Sequence, residues 1–203
     1  MSVNISKNIV RFTTGGAALA CAMYFAVVEG ASNVTVLLAS LFIVTICITD
    51  TFHAKITNIA NLGLILAGTS YNLYLAGFSG FITSILGLIT GFLLLIIPYL
   101  MGGMGAGDVK ALAALGALLG PANVFQVFLY IALIGGGMAI LHYVMAANFI
   151  HKCRRFFTTL RTFIYTRNFR LFIPDHQGER LRFPYAAAIA FGFFAFVQWG
   201  PLI

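Results

Sequence analysis

Only five acidic residues occur in the 203-residue chain: Glu29, Asp50, Asp108, Asp175 and Glu179. Two of them, Asp50 and Asp108, stand at the ends of hydrophobic segments. A carboxylate at a bilayer edge is costly to keep, so each is a functional-site candidate from the outset. Asp108 closes the run Gly102-Gly103-Met104-Gly105-Ala106-Gly107-Asp108. Two carboxylates about 3 Å apart cannot both ionise near neutral pH; they share one proton. The ionised member can then take a proton from water while the protonated member hydrogen-bonds a peptide carbonyl. That is the chemistry of an aspartyl protease, and it needs no metal, cofactor or nucleophilic side chain.

The glycines before Asp108 predict a flexible loop. Gly105 and Gly107 would let an extended substrate backbone approach, because glycine has no side chain and tolerates positive φ. Lys110 has two readings: a partner that tunes a carboxylate, or a snorkelling anchor at a span end. His53 reads as an interfacial, solvated residue and His142 as a core histidine. His151 and His176 lack metal-ligand spacing. Cys21, Cys47 and Cys153 form no CxxC pair, which excludes a zinc ribbon or a disulfide framework. Cys47 precedes Asp50 by one helical turn and shares its face.

These residues must be carried by membrane helices. The chain is 61% hydrophobic and 8% charged, against about 25% charged in soluble domains, and its mean hydropathy is +0.98. Long continuous apolar stretches exclude a β-barrel. At about 20 residues per crossing, the sequence predicts an all-α polytopic protein with about seven spans. They run from about Ile9 to Val28, Val34 to Thr49 (ending on Asp50), Ile59 to Phe78 and Phe81 to Leu100. A short helix, Val109 to Leu119, stops at Gly120-Pro121; Val124 to Ala147 and Tyr185 to Ile203 complete the set. Lys7 and Arg11 give the first segment the look of a signal peptide, but its length favours a retained helix. Breaks are expected at Glu29–Asn33, at Gly77-Phe78-Ser79-Gly80 and at Gly120-Pro121. The pairs Gly87/Gly91, Gly103/Gly107 and Gly116/Gly120, with Gly135-Gly136-Gly137, have the spacing of close helix packing.

The net charge of +7 comes from 12 Lys and Arg. All fall in alternate loops, at Lys7 and Arg11, at Lys55, at Lys110, and in 148–182. That pattern puts the N-terminus and both aspartates on the cytoplasmic side. It also argues against nucleic acid as the partner of the basic charge. Within 148–182, Cys153, Phe156, Phe157, Leu160, Phe163 and Ile164 recur at helical spacing opposite Arg154, Arg155 and Arg161. Such a helix suits the headgroup region of anionic lipid; a plain positive-inside anchor and a substrate-docking surface are the alternatives.

Three blocks of sequence resemble the type IV prepilin peptidases, the GxGD membrane aspartyl proteases. The first is Asp50-Thr51-Phe52-His53-Ala54-Lys55-Ile56-Thr57-Asn58, with Thr57 where the family has proline. The second is Gly105-Ala106-Gly107-Asp108-Val109-Lys110. The third is Phe183-Pro184-Tyr185-Ala186, continuing to Gly192. The resemblance covers 34–203 and leaves 1–33 as an extra N-terminal helix before six family helices. It implies that Asp50 and Asp108 are the catalytic pair of an endopeptidase. That enzyme would remove the basic leader of a pilin-like precursor at the cytoplasmic face of the bacterial inner membrane. The chain has neither the cysteine-bearing insert nor the paired cysteines of longer members, so it looks like the short, peptidase-only form of tight-adherence (Flp) pili. Rival classes are a proton-coupled transporter, which also uses intramembrane acids, and a non-catalytic assembly protein.

Overall fold

The computed structural model describes residues 2–30, 33–53, 56–100, 104–145 and 185–202. The expectations for 148–182 and for the His142 side chain lie outside the described residues. Five helices carry the described residues: α1 Ser2–Val28, α2 Val34–His53, α3 Asn58–Leu100, α4 Ala106–Met145 and α5 Tyr185–Trp199. In hydrocarbon every backbone N–H and C=O must find its partner inside the element, which the helix alone does over such apolar sequence. Among the described residues, α2, α3 and the 106–138 part of α4 are long and apolar enough to cross a membrane, while 12–28 and α5 are shorter apolar stretches. The described residues are thus all-helical outside short connections, with three apolar helices that fit a membrane-embedded protein.

Two of the helices are broken at a glycine. Gly77 has φ 59 and ψ −140, and Gly120 has φ 79 and ψ 172. Positive φ is nearly free for glycine and strained for other residues, so both predicted breaks fall where the sequence put them. Asn33 starts α2 by accepting a 3.0 Å bond from the Thr35 N–H, a standard N-cap.

Side-chain contacts fix how the segments run. Lys110 meets Asn58, and Gly68 lies against Leu118, so 58–76 runs parallel to 106–119. Gly87 faces Gly116 and Gly91 faces Leu112, so 78–100 runs antiparallel to the same segment. At Gly87 and Gly116 the backbones touch: the carbonyl of each occupies the place of a Cβ on the other. Two of the three glycine pairs read from the sequence, Gly87/Gly91 and Gly116/Gly120, therefore do form a close seam. After Gly120, Gly135 meets Ala188 and Gly192 meets Ile131, which sets α5 antiparallel to 121–145. Beyond α5, Tyr130 donates to the Gly200 carbonyl at 3.0 Å and the Leu202 N–H donates to Gln126 at 3.0 Å.

Asn72 repairs the second break. Pro121 has no N–H, so the Ala117 carbonyl four residues earlier loses its helical donor. The Asn72 amide donates to Ala117 O and Leu118 O, both at 3.1 Å, and to Ser84 Oγ at 2.9 Å. With two hydrogens for three acceptors, one is shared. An unsatisfied buried acceptor costs about 1–3 kcal/mol. Asn72→Leu should therefore lower the thermal unfolding midpoint in detergent; an unchanged midpoint would show that Asn72 carries no part of this junction.

Several boundaries differ from the sequence reading. α2 continues through Asp50 to His53, and α4 begins at Ala106 instead of Val109. Gly107 and Asp108 are therefore helical, not part of a loop. The cause is local capping, described next.

Candidate functional site

The site is built where three helix ends meet. Asp50 lies in the last turn of α2 and Asp108 in the first turn of α4. The first residue of α3, Asn58, lies beside them through its contact with Lys110. Asp50 is close enough to Asp108 for the two charges to interact. The structure thus brings together, at one end of the bundle, two acids 58 positions apart in the chain.

Asp108 also shapes its own helix. Its Oδ2 accepts the Gly105 N–H at 2.9 Å, and its own N–H donates to the Gly105 carbonyl at 3.1 Å. This is the return half of a capping box, in which an acid at the third helical position satisfies the N-cap amide. Negative charge there also complements the helix dipole. The bond explains why a glycine-rich run that reads as a loop becomes helix. Gly105, expected as free substrate-facing backbone, has its N–H engaged by Asp108. Gly107 packs on Ile56, whose Cβ stands 3.1 Å from where a side chain would begin. Lys110 donates to Asn58 Oδ1 at 3.1 Å. That contact staples α4 to α3; the sequence reading had left a carboxylate partner or a lipid anchor open. Thr57, where proline was expected, offers its carbonyl to Asn61 N–H at 3.4 Å at the start of α3.

Cys47 is buried one turn before Asp50, and its thiol lies 3.9 Å from the Ala186 carbonyl of α5. Tyr185 opens α5 and is half-buried. Sequence reasoning quoted Tyr185 inside a motif but gave it no role. Asn61 was missed altogether: it is 2% exposed, with neither side-chain polar atom partnered. Its signal was an amide in an apolar span, shared with Asn72. Among the described residues, no group of three or more His, Cys, Asp or Glu is placed to hold a metal ion.

A helical membrane bundle with two acids held at one end is the framework of an intramembrane-type enzyme or an ion carrier; comparison with known proteins selects the first. The chain belongs to the type IV leader peptidase family, whose family model matches residues 36–140, just over half of its length and inclusive of both Asp50 and Asp108. It is therefore a leader peptidase-type protease, a hydrolase. Comparison with curated proteins and with solved structures gives no match.

Proposed function

We propose that the chain is an aspartic endopeptidase that removes the basic leader of a pilin-like precursor, with Asp50 and Asp108 as its catalytic pair. The observation that carries this reading is that two acids, from the end of α2 and the start of α4, lie within range of each other's charge inside one family-matched stretch. In the proposed reaction one carboxylate is ionised and takes a proton from the attacking water. The other is protonated and donates to the scissile carbonyl, and the proton passes to the leaving amine as the peptide bond breaks. Gly105, Gly107 and Lys110 would frame the substrate indirectly, by fixing where Asp108 stands.

The confinement of all 12 Lys and Arg to alternate loops and the helix ends beside them supports a seven-crossing topology, with the N-terminus and the site at the cytoplasmic face of the bacterial inner membrane. The region 34–203 would form the peptidase domain after the 1–33 helix, and 148–182 would lie on anionic lipid. The product is a precursor shortened at its N-terminus. The test is incubation of the purified chain in detergent with a pilin-like precursor, read by intact mass. Cleavage should follow a bell-shaped pH profile, rising as the first carboxylate loses its proton and falling as the second does. A flat profile from acid to neutral pH would remove the shared proton from the mechanism. Absence of any shortened product would remove the peptidase reading.

A further inference from the structure

α1 precedes the stretch that matches the family, yet it is packed against the site. Gly15 sits on Thr51, the residue after Asp50. A Cβ at Gly15 would collide with Thr51 Oγ1 and stand 3.3 Å from Cγ2 and 3.4 Å from Cβ. Phe12 meets Phe52 edge to face, with ring centroids 6.4 Å apart. Farther along α1, Ala18 and Ala22 are fully buried, and Phe25 stacks on Phe194 of α5 at 4.6 Å. α1 is thus seated on α5 at one level and on the two residues after Asp50 at another.

A last helical turn is the part of a helix most prone to fray, because its carbonyls lack intrahelical donors. Asp50 belongs to such a turn. We propose that α1 is a brace that positions Asp50: the seat of Gly15 on Thr51, backed by Phe12 on Phe52, sets the last turn of α2 and with it the approach of Asp50 to Asp108. The proposal rests on the peptidase reading above. Gly15 and Thr51 are positioning residues; neither is asked to touch substrate. Misplacing a reacting group by about 1 Å costs up to roughly a hundredfold in rate, and a clash of one methyl group falls within that range.

The test uses the full chain and the precursor cleavage assay. Gly15→Ala should lower kcat about tenfold and leave KM nearly unchanged, since the acids move and the substrate contacts do not. Gly16→Ala, one residue on and with open space around it, should keep the wild-type rate. Adding Thr51→Ala to Gly15→Ala removes Oγ1 and Cγ2 and leaves the Thr51 Cβ position at 3.4 Å, an ordinary contact, so kcat should recover. A wild-type kcat in Gly15→Ala, a loss confined to KM, or a loss that Thr51→Ala does not relieve would each overturn the proposal. A second measurement is independent of activity. The 3.4 Å separation is near the Cβ–Cβ range of a disulfide, about 3.5–4.5 Å. Gly15→Cys with Thr51→Cys should therefore crosslink on oxidation, and neither single variant should. No crosslink means no seat, and the brace fails. If the double cysteine variant crosslinks but the wild-type chain cleaves nothing, the peptidase reading sinks, and the brace's catalytic purpose with it, while the packing of α1 stands.

Discussion

Asp108→Asn yields a chain that folds and enters the membrane but cleaves precursor at no more than about a thousandth of the wild-type rate. The substitution is chosen because asparagine keeps the size of the side chain and retains an oxygen that can accept the Gly105 N–H, so the start of α4 survives. What disappears is the ability to hold or release a proton. Asp50→Asn should do the same, since a general acid and its base partner each contribute roughly 10²–10⁴. The pair acts as a unit, so the double variant should be scarcely slower than either single one. Asp108→Ala should differ: it also removes the cap, and a lower unfolding midpoint should accompany the lost activity. Rates are read by gel shift and intact mass of the precursor, and folding by size-exclusion profile. Normal processing by either asparagine variant would falsify the aspartic assignment.

Gly87→Leu should largely abolish recovery of folded protein. The Gly116 carbonyl fills the space a side chain at 87 would need, and the Gly87 carbonyl fills the reciprocal space at 116. Backbone, unlike a side-chain tip, cannot swing aside, so the segment 78–100 must separate from 106–119. Overpacking of this sort costs about 3 kcal/mol, a large share of the roughly 5–15 kcal/mol that keeps a typical domain folded. Gly63→Leu is the control, because nothing lies within 4 Å of a Cβ there. Monodisperse yield and thermal midpoint in detergent report the outcome. A Gly87→Leu chain that purifies and melts like the wild type would mean that the seam is not needed.

The parts of the fold legible in the sequence were those governed by local chemistry. Gly77 and Gly120-Pro121 announce breaks because glycine permits positive φ and proline cannot donate. Gly87/Gly91 and Gly116/Gly120 announce close packing by their four-residue spacing, although spacing does not say which pair meets which. The two acids were visible because charge is so scarce in this chain. Three features escaped because their causes lie elsewhere in the chain or in geometry. Ala106–Asp108 became helix through a capping bond that overrides the poor helix propensity of glycine. Asn72 looked like one polar residue in an apolar span; its acceptors are 45 and 46 residues away. The docking of α1 beside Asp50 left no mark in the motifs, since Thr51 belongs to the first block and Gly15 lies outside all three.

The bond from the Gly105 N–H to Asp108 has one more consequence for the proposed reaction. It anchors one oxygen of the carboxylate to main chain three residues upstream, so the group's aim is settled when the polypeptide folds rather than when precursor arrives. Little reorganisation is then left for the bound state at this side of the reaction centre. A catalyst of this design has one arm preset by its own main chain, while the mate of that arm, at the end of its own helix, takes its aim from the neighbouring helix packed against it.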